Sequence, residues 1–256
     1  DVDIQLLRRY IASLLEEGYE KSSIARKLSA LRSFYVYLTR ANIIAENPLT
    51  TVSSPKLTKR LPAFLSNDEV RKLITAPDAG TPLGMRDKAI LELLYASGLR
   101  VSEIAGLDIM NVNLEEREIR VMGKGSKERI TLMGKPAANA IECYLREGRP
   151  KLTGVRSTDA LFLNRYGRRL SKRSIEQMLS HYAKAAGLTK RVFPHMIRHS
   201  FATHLLDGGA DLRVVQELLG HANLATTQIY THVTQTQARK VYLASHPRAR
   251  KQEGAG

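Results

Sequence analysis

Glu118-Ile119-Arg120-Val121-Met122-Gly123-Lys124-Gly125-Ser126-Lys127-Glu128-Arg129-Ile130-Thr131-Leu132 is the stretch that reads as a β-hairpin. Residues 118–122 and 128–132 alternate in the strand manner, and the two-glycine segment between them suits a turn. Elsewhere strand signals are few and helical spacing prevails. Upstream, residues 87–96 read as a helix stopped by Gly98, and Ser66-Asn67-Asp68-Glu69 opens another. Residues 53–62 carry prolines at 55 and 62 and no apolar periodicity, which marks a linker. Before it, Ile4, Leu7, Ile11 and Leu14 recur at helical spacing ahead of Gly18. A second helix is expected from Ser22 or Ser23, either of which can cap it, to Arg40, with Ile24, Leu28, Leu31, Tyr35 and Leu38 on one face. Downstream, helices are expected at about 136–147, 171–186, 195–206, 211–219 and 225–236. The expected fold is mainly α with a small antiparallel β-sheet, preceded by a small all-α domain.

The chain has 256 residues and a formal net charge of +15. Residues 1–60, 61–180 and 181–256 carry net charges of +4, +5 and +6, so the surplus is spread along the chain. That distribution favours a long polyanion as partner, nucleic acid first, over a basic enzyme merely kept soluble by its charge. At 43% hydrophobic and 25% charged residues the composition is that of a globular chain. The single Cys143 supports neither an internal disulfide nor a cysteine-based zinc site, which fits a reducing compartment. No apolar run is long enough for a membrane span, and Asp1-Val2-Asp3 is unlike the basic start of a signal peptide. The chain is therefore expected to be soluble and not exported by that route.

Chemistry concentrates in the last quarter. Pro194-His195-Met196-Ile197-Arg198 sets a proline at a helix start, placing His195 and Arg198 one turn apart on one face. Leu219-Gly220-His221 leaves His221 just past a glycine stop, and Tyr230 follows behind Thr226-Thr227. His195 and His199 have metal-ligand spacing, but Arg198 would set a fixed positive charge beside the ion and no Glu lies between them. Residues 211–219 and 225–233 can also be read as a helix-turn-helix with Thr227 and Gln228 facing DNA, which leaves His195-x-x-Arg198 without a reason.

The run from His195 to His204, then Leu218-Leu219-Gly220-His221, then Tyr230-Thr231-His232-Val233, resembles the tyrosine recombinases, most closely the Xer type. Ala96-Ser97-Gly98-Leu99-Arg100-Val101-Ser102-Glu103 is similar to that family's first arginine motif, and residues 123–129 to its lysine hairpin. The resemblance covers about residue 1 to Pro247 and implies a partial helical core-binding, SAM-like domain over 1–53. A linker at 54–62 and a catalytic domain at 63–256 with a C-terminal interaction helix complete the implied organisation. It also implies one or two further helices ahead of the position matching Asp1.

The same resemblance implies Arg100, Lys124, His195, Arg198 and His221 around the nucleophile Tyr230, with no metal and no cofactor. The chemistry is coherent. A tyrosine hydroxyl attacking a phosphodiester stores the bond energy in a phosphotyrosine, and the chain lacks a Walker pattern for nucleotide-driven resealing. Free tyrosine titrates near 10, so positive groups must favour the phenolate. Two guanidinium forks suit the non-bridging oxygens. His221 would add a hydrogen bond to them, His195 would relay the tyrosine's proton, and Lys124 would act as general acid for the 5′ oxygen. Glu103 is expected to orient an arginine or histidine.

The helix bearing Ser171, Lys172, Arg173 and Gln177 is expected to enter the major groove, and the side of the 22–40 helix bearing Arg26 and Lys27 to face DNA as well. Implied partners are a double-stranded DNA recombination site and protomers of the same or a related recombinase, as a tetramer on two sites, with no membrane. The apolar stripe Val233, Val241 and Leu243 is expected to dock on a neighbouring subunit. Dimer resolution of chromosomes or plasmids is the leading role. A mobile-element integrase with the same chemistry and a non-catalytic helix-turn-helix regulator are the alternatives.

Overall fold

A computed structural model describes residues 4–53, 55, 63–122, 128–154, 158–220 and 232–249, the last stretch as backbone alone through residue 237. The chain divides into two compact units, Asp1–Leu61 and Pro62–Gly256.

In the first unit, α1 (Ile4–Glu16) and α2 (Lys21–Arg40) are joined at Gly18, whose φ of +79° is a left-handed turn that glycine adopts without strain. Leu7, Leu14, Ile24 and Leu28 meet Leu49 and Val52 in a small core. Neither Ser22 nor Ser23 caps α2. Glu20 holds the N-cap position, and its carbonyl accepts from the amides of Ser23 and Ile24, so both serines fall inside the first turn. Opening the ladder there carries Ile24 into full burial, and packing rather than a side-chain cap sets the start.

The second unit is organised around α4 (Pro82–Ser97), preceded by α3 (Asn67–Thr75). α4 starts five residues before the expected 87. Thr81 Oγ1 accepts from the Gly84 amide at 3.0 Å and Pro82 stands at the first helical position, a pairing that starts helices efficiently. Every α4 residue from Ala89 to Ser97 is buried, so this part of the helix is central and has no solvent face. It ends at Gly98, φ +59°. A Cβ there would lie 2.5 Å from Phe201 Cδ1, so both the backbone angle and the space require glycine.

After α5 (Val101–Gly106) comes a three-stranded antiparallel sheet, β1 (Val112–Asn113), β2 (Glu118–Met122) and β3 (Glu128–Leu132), in that order. The two-residue β1 is too short to show alternation in sequence. Register pairs Ile119 with Thr131 and Val121 with Arg129, and these four share the inner face. An apolar-inward reading of β3 would bury Ile130, yet Ile130 is 39% exposed and Arg129 points inward.

α6 (Lys135–Cys143) continues through a π-turn at Tyr144–Gly148 into α7 (Arg149–Leu152), and α8 (Lys172–Ala185) packs on α5. α9 (Pro194–Asp207), α10 (Leu212–Leu219) and α11 (His232–Ser245) enclose a second core of Phe201, Leu205, Val215, Leu218, Leu219 and Tyr242. Most of the helix expected over 225–236, including Tyr230, lies outside the described residues.

The apolar stripe expected to dock on a neighbour is partly covered within its own chain. Val241 and Leu243 pack against the second core of their own chain, while Val233 lies outside the described side chains. Tyr242 between them is 1% exposed and donates from its hydroxyl to the Ala96 carbonyl at 2.9 Å. α9 and α10 present an apolar wall to α11, which half-buries Val241 and Leu243. His246 follows, fully buried among the rings of Tyr95, Phe201 and Tyr242. Its Nδ1 accepts from the Arg248 amide and its Nε2 faces the Tyr95 carbonyl, which fits a neutral ring protonated on Nε2.

Candidate active site

Past Gly98 the chain extends to Arg100, which occupies the N-cap position of α5, and one turn later Glu103 folds back on it. Glu103 Oε2 accepts from the Arg100 amide at 2.8 Å and Oε1 from Arg100 Nη1 at 3.0 Å. From the inner face of the sheet, Arg129 grips the same carboxylate as a fork, Nη1 to Oε1 at 2.9 Å and Nη2 to Oε2 at 3.0 Å. One carboxylate thus receives four hydrogen bonds and leaves none of its ordinary acceptor capacity unused. Burial pushes the Glu103 carboxyl up, but the bonds from Arg129 and the Arg100 amide outweigh it and hold the group below the usual carboxylate range. Glu103 therefore orients Arg100, as expected. A cleft of about 310 Å³ opens beside it, lined by Ser102, Glu103, Asn111, Arg120, Met122 and Glu128 among others.

On α9, Pro194 stands in the first turn, His195 is exposed, and Arg198 one turn later is 9% exposed. The buried guanidinium is held by backbone: Nη1 donates to the Gly98 carbonyl and Nη2 to the Leu219 carbonyl, each at 2.6 Å. These carbonyls lie where α4 and α10 end, at the negative poles of two helix dipoles, which is where a buried cation is best tolerated. Burial, reinforced by the positive charge of Arg100, pushes the Arg198 guanidinium down to about 10, so it stays charged at neutral pH. Each Nη keeps a second hydrogen for another acceptor. Arg100, with its side chain 41% exposed, and Arg129 bond a single carboxylate, and the buried Arg198 lies within electrostatic reach of all three. Such a cluster is an anion site with unused donors.

Of the six residues expected at the phosphate, the structure brings Arg100 and Arg198 together and sets His195 one turn from Arg198. Lys124, His221 and Tyr230 lie outside the described residues. Arg129 was not singled out from the sequence. The available signal was an arginine two residues before Thr131 on a strand, on the face that register turns inward. His199, four residues after His195, is half-buried with its ring edge-on to Phe64, and no group of three or more His, Cys, Asp or Glu is poised to hold a metal among the described residues.

On α8, Ile175, Met178 and Leu179 are buried, while Lys172, Arg173 and Gln177 are exposed. Ser171 is exposed as well, and its Oγ accepts from the Ser174 amide at 3.1 Å and caps the helix. On α2, Arg26 is exposed, and Lys27 lies with its ammonium 5.0 Å from the Tyr19 ring centre. No described helix is long and apolar enough to cross a membrane.

Residues 63–237 match the phage integrase family and residues 1–42 the phage integrase N-terminal SAM-like domain. The chain belongs to the phage integrase family of tyrosine recombinases. It is 49% identical over 254 residues to the tyrosine recombinase XerC of Pelotomaculum thermopropionicum, covering 98% of this chain and 83% of that protein. It is 48% identical over 245 residues to the tyrosine recombinase XerD of Halalkalibacterium halodurans, covering 96% and 82%. Among solved structures it resembles XerH bound to a palindromic difH substrate in a post-cleavage complex, with a TM-score of 0.71, 27% identity and coverage of 94% of this chain and 71% of that one. Within the family it is a Xer-type enzyme of site-specific DNA recombination.

Proposed function

We propose that this recombinase cuts and rejoins strands through a 3′-phosphotyrosine, with Tyr230 as nucleophile and Arg100, Lys124, His195, Arg198 and His221 around the scissile phosphate. The observation that carries the reading is the pairing of a buried Arg198 with a half-exposed Arg100 beside one shared carboxylate. Their spare donors would hold the non-bridging oxygens and offset the charge that builds in the pentavalent transition state. The Tyr230 oxygen bonds to phosphorus as the bond to the 5′ oxygen breaks. His195 takes the phenol proton, and the Lys124 ammonium gives one to the departing 5′ oxygen, which leaves as a hydroxyl. Attack by another strand's 5′-hydroxyl reverses these steps, so the bond energy is conserved without metal or nucleotide.

The ligand proposed is duplex DNA carrying a recombination site, gripped through Arg26 and Lys27 on α2 and through Lys172, Arg173 and Gln177 on α8. The exposure of Arg26, Lys172, Arg173 and Gln177 supports that role, and Lys27 is half-buried against Tyr19. The working form is a tetramer of this or a related recombinase on two sites. Its task is the resolution of chromosome or plasmid dimers in the cytoplasm, on the nucleoid, and the identities to XerC and XerD support this over an element-borne integrase. A nicked suicide duplex bearing the chain's site, selected from random DNA, tests the chemistry. Wild type should form a covalent adduct and Tyr230→Phe none. No wild-type adduct, or an undiminished one with Tyr230→Phe, refutes it.

A further inference from the structure

Arg129 has no part in the mechanism above, yet it is placed to decide how much of Arg100 reaches the substrate. Its fork takes both oxygens of Glu103, with its side chain only 10% exposed, whereas Arg100 gives that carboxylate a single side-chain bond and stays 41% exposed. Without Arg129, the arginine still hydrogen-bonded to Glu103 is Arg100, which could then close its own fork on the carboxylate and lose both its charge and its donors to it. The location of Arg129 adds a second linkage. It stands on β3, the strand that leaves the Lys124 hairpin, and it packs on Gly220, where a Cβ would lie 2.7 Å from its Nε. One side chain thus joins the hairpin strand, the Arg100 turn and the end of α10.

We propose that Arg129 is a positioning residue for strand cleavage: by committing Glu103 from the sheet side, it leaves the Arg100 fork and charge free for the scissile phosphate. The proposal rests on the role assigned to Arg100 above. It makes a distinction that a purely structural role would not. Removing Arg129 alone lowers the net charge of the cluster of Arg100, Arg129, Arg198 and Glu103, and neutralising Glu103 at the same time restores it.

The experiment measures single-turnover adduct formation on the nicked suicide duplex, alongside DNA affinity, for wild type, Arg129→Gln, Arg129→Lys and the double variant Glu103→Gln/Arg129→Gln. Arg129→Gln should cleave roughly 10- to 100-fold more slowly, with affinity changed by no more than about threefold. Arg129→Lys should fall between it and wild type, since a lysine keeps the charge but not the fork. The double variant should cleave faster than Arg129→Gln, by roughly tenfold. An Arg129→Gln rate equal to wild type, or a double variant no faster than the single one, overturns the proposal. Should Arg129→Gln fail to fold, the double variant, which buries neither charge, and Arg129→Lys carry the comparison: a double variant slower than Arg129→Lys by more than about 100-fold also overturns it. The recombinase reading fails separately, when wild type itself forms no Tyr230-dependent adduct.

Discussion

Replacing Gly98 by alanine should damage both the core and the active site, and a matched glycine isolates the cause. Gly98 and Gly187 both sit past helix ends in the left-handed region, at φ +59° and +68°. Alanine in that conformation costs about 1–2 kcal/mol. At Gly187 a Cβ meets nothing within 4 Å, so Gly187→Ala should lose that backbone amount alone. At Gly98 a Cβ would fall 2.5 Å from Phe201 Cδ1, 2.8 Å from Cε1 and 3.0 Å from Leu219 Cδ2. Carbon atoms pack at about 3.5–4.0 Å, so the Phe201 ring must retreat by roughly 1 Å. Phe201 is 1% exposed in the second core, and overpacking there adds about 1–3 kcal/mol, for a total of about 2–5 kcal/mol. Urea unfolding should show the lower midpoint for Gly98→Ala at an unchanged slope of free energy on denaturant. Because the Gly98 carbonyl holds Arg198 Nη1 at 2.6 Å, the adduct rate of the folded variant should fall too, while that of Gly187→Ala should not. Equal midpoints for the two variants would refute the packing argument.

Burial holds the His246 imidazole down at about 3, against about 6.5 in an unfolded chain. Between those values only the unfolded state binds the proton, so stability is complete above about pH 6.5 and declines below it by at most about 1.4 kcal/mol per pH unit. His246→Phe should flatten that dependence in denaturation at pH 5 and 7, and an unaltered slope would contradict the assignment. Arg198→Lys should reduce the adduct rate by roughly 100-fold or more if Arg198 holds the phosphate as proposed, since an ammonium cannot also reproduce the fork that bridges the Gly98 and Leu219 carbonyls. Single-turnover gels check this, and a rate within about threefold of wild type would count against it. Arg173→Ala should lower the slope of log affinity against log salt by about one if that exposed guanidinium contacts a phosphate. An unchanged slope in binding titrations would remove it from the interface.

Legibility in the sequence followed the range of the interaction. Periodicity within a few residues was enough for α1, α9 and the β2–β3 hairpin. Where a second element decided the outcome, local reading fell short. The α2 start is set by the burial of Ile24 rather than by Ser22 or Ser23. β1 exists only through its pairing with β2. The motifs around Arg100, His195, Arg198, His221 and Tyr230 carried the family resemblance because their order, gaps and residue types are together specific as a string.

The amino-acid sequence by itself determined the mainly helical class, the position of the hairpin and the set of residue types able to handle a phosphodiester, because these depend on side-chain chemistry and on periods of two or 3.6 residues. Tertiary structure decided which partners those side chains have. Arg198 is held by carbonyls 100 and 21 residues away, and Glu103 is shared with an arginine 26 residues along the chain. Tertiary structure likewise turned Arg129 inward and packed Tyr242 of α11 into the second core. The reason is common to all of these: burial and hydrogen-bond satisfaction are summed over elements distant in sequence, and no local pattern records which of them will meet.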